Sequence, residues 1–199
     1  MEKGEKVLAI KGDIIFKEGE WLGFKTENLD YFYNLIKSNC EFVDREKAET
    51  DEKYKQIIPY ILFKNGNKFF LYEYIKGATE TRLHHNYILG IAGHINPIDN
   101  NGNDIIEEGA KREWFEEVVF DGNITNRKLV GMLNDNRRDV ERVHLGLIYV
   151  YEGDSDKIEI KEKDKMRGKM MTIKETESLI GSTEYLGWAP LLYPHLEKF

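Results

Sequence analysis

The chain has 199 residues, and its hydrophobic content of 41% is enough to bury the core of one full domain with an added subdomain. Its 36 acidic and 29 basic side chains give a net charge of -7, which argues against a broad surface for duplex nucleic acid. The single cysteine, Cys40, excludes an internal disulfide and a zinc-thiolate site, and no apolar run approaches a membrane span, so we expect a cytoplasmic protein with no membrane partner.

The first 45 residues are expected to form an N-terminal α/β extension. Residues 7–16 have the composition of a strand, and residues 27–38 carry apolar side chains at helical spacing. Residues 45–55 are a dense run of charge, which is typical of a solvated loop or linker. We therefore place a domain boundary there and expect the main domain to cover residues 46–199.

Apolar runs predict the sheet of the main domain. Residues 57–63 and 69–75 flank Asn65-Gly66-Asn67, which has the chemistry of a tight hairpin turn. The charged residues 154–170 are expected to form a long surface excursion. Further strands are expected within three ranges: 87–95, 128–133 and 143–151.

A late helix completes the predicted fold. Thr172 followed by Glu175 is the pattern of a capping box, which predicts a short helix ending near Gly181. Strands, one central helix, more strands and this late helix indicate an α/β fold of the α+β type, with a mixed sheet between helices.

The central helix carries an unusual cluster of acids. Asp104, with a capping-box acid three residues later, predicts a helix over residues 105–118. Because a helix turns about 100° per residue, Glu113, Glu116 and Glu117 fall within an arc of roughly 100°. Like charges at i,i+4 cost an isolated helix about 0.2 to 0.5 kcal/mol. A hard divalent cation, with Mg²⁺ as the first choice, would relieve this repulsion and act as a Lewis acid.

These residues resemble the signature of the Nudix hydrolases, in which a glycine and an acid precede an Arg-Glu pair, an apolar residue and a Glu-Glu pair. The matching positions are Gly93, Asp104, Arg112-Glu113, Trp114, Glu116-Glu117 and the closing apolar Phe120. Three departures stand out: the gap from Gly93 to Asp104 is five residues wider than the pattern, Asp104 replaces a glutamate, and Val119 replaces a late glycine. A β-branched residue avoids φ > 0, so the helix is expected to end differently, with a turn at Asp121-Gly122.

The resemblance, which covers roughly residues 45–192 and is closest to a bacterial branch of Nudix phosphoesterases, implies a fold and an activity. It implies a hydrolase that cleaves a diphosphate linkage in a small, nucleotide-derived substrate. The implied catalytic residues are Arg112, Glu113, Glu116 and Glu117, and the implied metal ligands are Ala92 through its carbonyl, Glu113, Glu116 and Glu117. Mg²⁺ is the expected cofactor and Mn²⁺ the second choice. The water-activating base stays open between a signature glutamate and a later acid, for which the sequence offers Asp139, Glu141, Glu162 and Glu184.

The same residues also allow an alternative function, and several of their neighbours have structural roles. A binding or regulatory module that keeps the fold without turnover is the alternative function, and a homodimer is left open. The isomerase branch of this fold needs a cysteine, and Cys40 lies outside the resembling region. Structural roles are favoured for several neighbours of the site: Glu107 and Glu108 as a solvated helix face, Trp114 as core, and His84, His85, His94 and His144 as hydrogen-bonded residues.

Overall fold

The computed structural model describes residues 4–75, 87–180 and 187–199. Its strands are β1 (Lys6–Lys11), β2 (Gly23–Lys25), β3 (Glu41–Asp44), β4 (Tyr54–Asn65), β5 (Lys68–Tyr74), β6 (Tyr87–Ile88), β7 (Ile91–Ala92), β8 (Val118–Phe120), β9 (Ile124–Asn134), β10 (His144–Gly153), β11 (Ile158–Ile160) and β12 (Met166–Thr172). Its α-helices are α1 (Gly12–Ile15), α2 (Leu29–Asn39), α3 (Arg45–Ala48), α4 (Ile105–Glu117), α5 (Asp139–Arg142), α6 (Ile173–Ile180) and α7 (Ala189–Leu192). Short 3-10 segments cover Pro97–Asp99 and Tyr193–Lys198.

The described strands form one large sheet and one small one, which confirms the predicted α+β class. Ten strands belong to the large sheet, along the path β12-β5-β4-β10-β9-β2 with β1, β3, β6 and β7 attached beside it. Strands β8 and β11 form a separate antiparallel pair. In the described ranges, no helix is long and apolar enough to cross a membrane.

The first of two compact units comprises Met1–Tyr60, Ala92–Arg112 and Leu129–Ile148. Strand β1 pairs antiparallel with β3 and with the start of β4. A small core between these strands and α3 consists of Val7, Ala9, Val43 and Ala48, with Tyr54 packed against it. The N-terminal 45 residues therefore share strand pairing and core with later residues. The domain boundary near residue 45 stays a prediction.

Two local predictions for this unit are corrected. The strand expected over residues 7–16 ends at Lys11, because the chain turns into α1, where the Phe16 amide bonds to the Gly12 carbonyl at 2.9 Å. The charged run 45–55 is more than a linker, since its first residues form α3. Arg45 pairs with Glu5, the residue before β1, and with Glu49, the residue after α3, both at 2.9 Å.

The second unit comprises Ile61–Ile91, Glu113–Lys128 and Tyr149–Phe199. The hairpin between β4 and β5 is confirmed, with Asn65 opposite Lys68 and a positive φ of 57° at Gly66. In the same unit β12 pairs with β5 over seven positions.

The prediction that residues 154–170 form a surface excursion is wrong for the two stretches that become β11 and β12. Apolar residues spaced between the charges are buried there: Ile158, Ile160, Met166 and Met171. A half-buried strand needs only every second side chain to be apolar, so the lysines and glutamates of this segment are compatible with pairing.

The two capped helices and the altered end of α4 are confirmed. The Ile106 amide donates to Asp104 at 3.1 Å, and Thr172 and Glu175 exchange bonds of 2.8 and 3.3 Å at the start of α6. Helix α4 ends at Glu117, and the chain continues directly as β8, where Val119 is opposite Glu159. The predicted end of α6 near Gly181 lies outside the described residues.

Candidate active site

Helix α4 carries the predicted site, and its first turn is fixed by α2. Tyr33 donates a hydrogen bond of 3.0 Å to one Asp104 oxygen, and Lys37 pairs with the other at 2.6 Å. Both contacts, added to the bond from the Ile106 amide, lower the pKa of Asp104 in spite of burial, which raises it. The start of the helix is therefore anchored by a carboxylate that stays ionised.

Arg112 ties the middle of α4 to the loop that follows Gly93. Its Nε and Nη2 atoms donate to the two oxygens of Asp99 at 2.8 and 3.0 Å. Its Nη2 atom also donates to the His94 carbonyl at 2.6 Å and to Asn96 Oδ1 at 3.2 Å. Asp99 has only 3% of its side chain exposed, so this is a buried fork of charge-assisted bonds.

The loop that follows Gly93 packs against α4 at Gly109. A methyl group added to Gly109 would come within 2.8 Å of Ile95 Cγ1 and 3.3 Å of Asp99 Oδ2. Ile95 is fully buried and has no room to give way. The absence of a side chain at Gly109 is what allows Asp99 to come close enough to α4 to bind Arg112.

Asp99 is a site residue that the sequence interpretation missed. Five residues separate Gly93 from Asp99, which is the spacing of the signature, whereas ten separate Gly93 from Asp104. In the structure Asp99 has the spacing of the signature and binds Arg112, whereas Asp104 caps the helix as predicted. Asp104 follows Asp99 by five positions, with the four residues 100–103 between them. The signal that finds Asp99 is its distance from the glycine.

The three glutamates of the cluster have different surroundings. Glu113 is buried with 8% exposure, Glu116 is exposed, and Glu117 is partly buried. Burial raises the pKa of Glu117 above its usual value, and the neighbouring carboxylates of Glu162 and Glu116 raise it further against the opposing charge of Lys161. At the end of α4, the charges of two neighbouring carboxylates therefore oppose the ionisation of Glu117.

Glu162 lies near Glu117 because the loop that carries Glu162 is hydrogen-bonded to the end of α4. The Lys161 amide donates to the Glu117 carbonyl at 2.8 Å, and Lys161 Nζ bonds to the Phe115 carbonyl. Glu162 pairs with Lys165 at 2.7 Å, with about half of each side chain exposed. Among the later acids considered as bases, Glu162 has a charge that raises the pKa of a signature glutamate, Glu117.

The donor set fits a hard cation in its chemistry, since carboxylates whose charges raise one another's pKa are neutralised by such an ion. As arranged, however, no group of three His, Cys, Asp or Glu side chains within the described ranges is close enough to hold a metal ion. Like-charged carboxylates on one helix face repel one another, and glutamate has several rotamers in which to separate. The metal site of Glu113, Glu116 and Glu117, with the exposed Ala92 as carbonyl donor, stays a prediction.

The other sequence predictions around the site fall into three groups. Trp114 is confirmed as core, since it is 4% exposed and its ring lies 5.4 to 6.1 Å from those of Phe63, Phe120 and Tyr151. The imidazoles of His94 and His144 lie 5.7 Å apart, and burial is the main cause that lowers the pKa of both. Three residues fall outside the described ranges: His84, His85 and Glu184.

The remaining candidate bases lie in the loop and single helical turn between β9 and β10. Asp139 is almost fully exposed and pairs with Arg142 at 3.0 Å. Glu141 is 4% exposed and is paired with Arg138. Burial, followed by the charge of Asp135, raises the pKa of Glu141 to about 7, while Arg137 opposes the shift.

Comparison with known proteins gives the class of this fold. No protein-family model matches the chain. The crystal structure of Tm1382, a candidate Nudix hydrolase, has a TM-score of 0.83 and 30% identity, covering 98% of this chain and 100% of that one. The chain belongs to the Nudix hydrolase family, and its mixed α+β fold is the fold of that family. The similarity extends into the N-terminal segment, which lies outside the sequence motifs.

Two further proteins are similar to the chain. Protein YmaB of Bacillus subtilis (strain 168) is 33% identical over 182 residues, covering 86% of this chain and 87% of that protein. A Nudix hydrolase from Nitrosomonas europaea is 18% identical with a TM-score of 0.41, covering 72% of this chain and 90% of that one, which is too distant a similarity to add to the site.

Proposed function

We propose that this chain is a divalent-cation-dependent hydrolase that cleaves a diphosphate linkage in a nucleoside diphosphate derivative. The observation that carries the proposal is the acidic end of α4 in a chain of the Nudix family, where burial and then the charges of Glu162 and Glu116 raise the pKa of Glu117. In the proposed reaction, water attacks one phosphorus and the bridging P–O bond breaks. Two phosphate-bearing products leave, and a carboxylate accepts the proton of the water.

Three glutamates are proposed to hold the cation, with Mg²⁺ as the first choice and Mn²⁺ as the second. They are Glu113, Glu116 and Glu117, with the carbonyl of Ala92 as a further oxygen donor. Glutamate side chains on one helix face can approach one another by changing rotamer, and a bound cation would neutralise the repulsion between their charges. The bound cation would neutralise phosphate oxygens and lower the pKa of a coordinated water.

Arg112 is proposed to act as a positioning residue. It acts through the loop that follows Gly93, residues 94–99, which is called the glycine loop below. Its bonds to Asp99, Asn96 and the His94 carbonyl fix the segment that follows Ala92 to the helix turn immediately before Glu113. The loop backbone and the first acid of the cluster are thereby held by the same side chain.

Glu162 is proposed as the general base, because its carboxylate is near enough to influence Glu117 and is more than half exposed to incoming water. Glu162→Gln should lower kcat by about 100-fold, in the range observed for loss of a general base, and should leave Mn²⁺ affinity within about twofold. Glu159→Gln, on the neighbouring strand, is the control. A variant that keeps the wild-type kcat would remove Glu162 from the mechanism.

A substrate panel tests the activity itself. Purified protein is incubated with nucleotide sugars, dinucleotides and nucleoside triphosphates, with Mg²⁺ or with EDTA, and phosphate-bearing products are quantified. The proposal expects Mg²⁺-dependent product from at least one class. A shift in Tm with these compounds and no product from any of them would support the alternative, a nucleotide-binding module without turnover.

A further inference from the structure

The segment between β9 and β10, residues 135–142, carries three arginines and is called the arginine loop below. Arg137 binds both oxygens of Asp135 through Nε and Nη2, at distances of 2.7 to 3.0 Å. Arg138 donates from Nε to Glu141 at 2.6 Å. The third arginine, Arg142, pairs with exposed acids and serves below as a reference.

The two ion pairs of Arg137 and Arg138 are asymmetric in exposure. The carboxylates of Asp135 and Glu141 have 3% and 5% of their side chains exposed, whereas the arginines have 53% and 33%. In each of these two pairs the arginine is therefore more accessible to an ion from solvent than its carboxylate, whereas the third acid of the loop, Asp139, is 96% exposed and pairs with Arg142. Such a surface favours an anion although the loop as a whole is close to neutral.

Stability alone does not explain this arrangement. Burying a carboxylate carries a desolvation cost, which hydrogen bonds from Arg137 offset at Asp135, whose pKa is lowered, but which is not offset at Glu141, whose pKa is raised to about 7. Arg142, with 43% exposure, has the ordinary surface arrangement, because its partners Asp139 and Glu52 are themselves 96% and 70% exposed. A loop that buries two acids to orient two surface arginines has the features of a binding site.

The arginine loop is linked to the glycine loop of the candidate active site, within the first unit. His144 Nδ1 bonds to the Val140 carbonyl, and the rings of His144 and His94 lie 5.7 Å apart. The His94 carbonyl in turn accepts the 2.6 Å bond from Arg112. Both loops are thus joined through neighbouring side chains.

We propose that Arg137, oriented by Asp135, binds a phosphate group of the substrate. Asp135 takes the edge of the guanidinium formed by Nε and Nη2, so the two N–H groups of Nη1 lie on the side away from the carboxylate. A planar guanidinium held on one edge presents its remaining donors in a fixed direction, which suits phosphate oxygens. The inference rests on the proposed function for the identity of the ligand as substrate, and free phosphate has the same chemistry.

The test compares Arg137→Met and Arg137→Lys with Arg142→Met, the control that removes a similarly exposed arginine from the same loop. One experiment measures binding of inorganic diphosphate by calorimetry in EDTA, where any cation-dependent site is silent. The other measures kcat and KM for the best substrate of the panel. Circular dichroism and Tm establish that each variant is folded.

Arg137→Met should weaken diphosphate binding about tenfold and raise KM about tenfold with kcat within about twofold, as expected for loss of a charged hydrogen bond. Arg137→Lys should fall between, and Arg142→Met should match the wild type. Equal Kd values for Arg137→Met and Arg142→Met would overturn the inference. Weaker diphosphate binding with an unchanged KM would assign the site to free phosphate and overturn its role in substrate binding.

Failure of the proposed function gives a different result. A wild-type protein that turns over no member of the panel, yet binds diphosphate in an Arg137-dependent way, would refute the hydrolase and keep the phosphate site. A wild-type protein that hydrolyses substrate but binds no diphosphate in EDTA would refute the phosphate site and keep the hydrolase.

Discussion

At the residue scale, the ion pair with Asp99 holds Arg112 against the loop that follows Gly93. The carboxylate is almost fully buried, and its two oxygens accept bonds from the guanidinium. The backbone N–H of Asn96 donates a third bond to the same carboxylate at 2.8 Å. A buried pair of this kind is worth little against an apolar replacement, but the loss of one partner strands the other charge. The loop that follows Gly93 therefore depends on the pair remaining complete.

Asp99→Ala should lower the free energy of unfolding by about 3 kcal/mol, because it removes one partner of a largely buried ion pair, in which Asp99 is 3% and Arg112 20% exposed. Asp99→Asn keeps the shape and should cost less. Urea unfolding at pH 7 measures both. The matched control is Glu108→Gln, which removes a more exposed i,i+3 pair with Lys111 and should cost under about 1 kcal/mol. Equal costs for Asp99→Ala and the control would contradict the buried fork.

Sequence alone located the acids of α4 but not the contacts that surround them. Glu113, Glu116 and Glu117 were identifiable because their spacing is local to one helix. Asp99 was missed, and Glu162 was one of four later acids left open as the base, since each reaches the helix from a loop of another segment. Local periodicity contains no information about which loop approaches which face.

At the scale of elements, α4 combines a fixed start with a close contact in its middle. Asp104 holds the first turn, and Gly109 allows the loop of Ile95 and Asp99 to approach. Glycine inside a helix normally costs about 1 kcal/mol relative to alanine. That cost is compensated here by the position of the loop, which brings the partner of Arg112 into range.

Gly109→Ala should therefore destabilise the protein, although the same change in an open helix stabilises it. The new methyl group would lie 2.8 Å from Ile95 Cγ1, and overpacking of a buried contact costs typically 1 to 3 kcal/mol. Thermal unfolding should show a lower Tm. Glu107→Ala on the same helix is the control and should change Tm little. A higher Tm for Gly109→Ala would mean that the loop is not held against the helix.

Elements with local signals were predicted well, and those that depend on distant pairing were not. The hairpin at Gly66 and the caps at Asp104 and Thr172 each follow from a few adjacent residues, and all three are confirmed. Strand β12 was missed because its charged residues resemble a solvated loop. Its seven-residue pairing with β5 supplies the backbone partners that the sequence of β12 alone does not reveal.

At the scale of the whole molecule, the N-terminal segment takes part in the first unit. The Leu8 amide donates to the Ile95 carbonyl at 2.8 Å, and Asn96 Nδ2 donates to the Lys6 carbonyl at 2.9 Å. These bonds hold the glycine loop against the N-terminal segment. The same segment holds the start of α4, through the contacts of α2 with Asp104. The segment therefore contributes to the geometry around Arg112, and a homodimer formed through it stays a prediction.

The stability of the molecule should depend on pH through His94 and His144. Burial, with the charge of Arg45 and of the neighbouring imidazole, lowers the pKa of His94 to about 4, and burial lowers that of His144. Between pH 6.5 and 4 the unfolded chain binds more protons at these groups than the folded chain, so stability is lost as the pH falls. The loss from His94 is on the order of 3 kcal/mol at most.

Urea unfolding at pH 7, 6 and 5 measures this dependence, and the contribution of carboxylates such as Glu141, whose pKa burial raises to about 7, is common to the wild type and the variants. His94→Gln should show a shallower loss of stability than the wild type, because its side chain takes up no proton. His195→Gln near the C-terminus is the control and should follow the wild type more closely, since His195 is less buried. Parallel curves for the wild type and His94→Gln would contradict the prediction.

The most direct test of metal-dependent hydrolysis at the end of α4 is the kcat of Glu117→Gln, measured with Mg²⁺ on the best substrate of the panel. Glu107→Gln makes the same chemical change elsewhere on the helix and is the control. Loss of this carboxylate should reduce kcat at least about 100-fold while Tm stays near that of the wild type, and the control should keep wild-type turnover. Wild-type kcat in folded Glu117→Gln would contradict the assignment of the site.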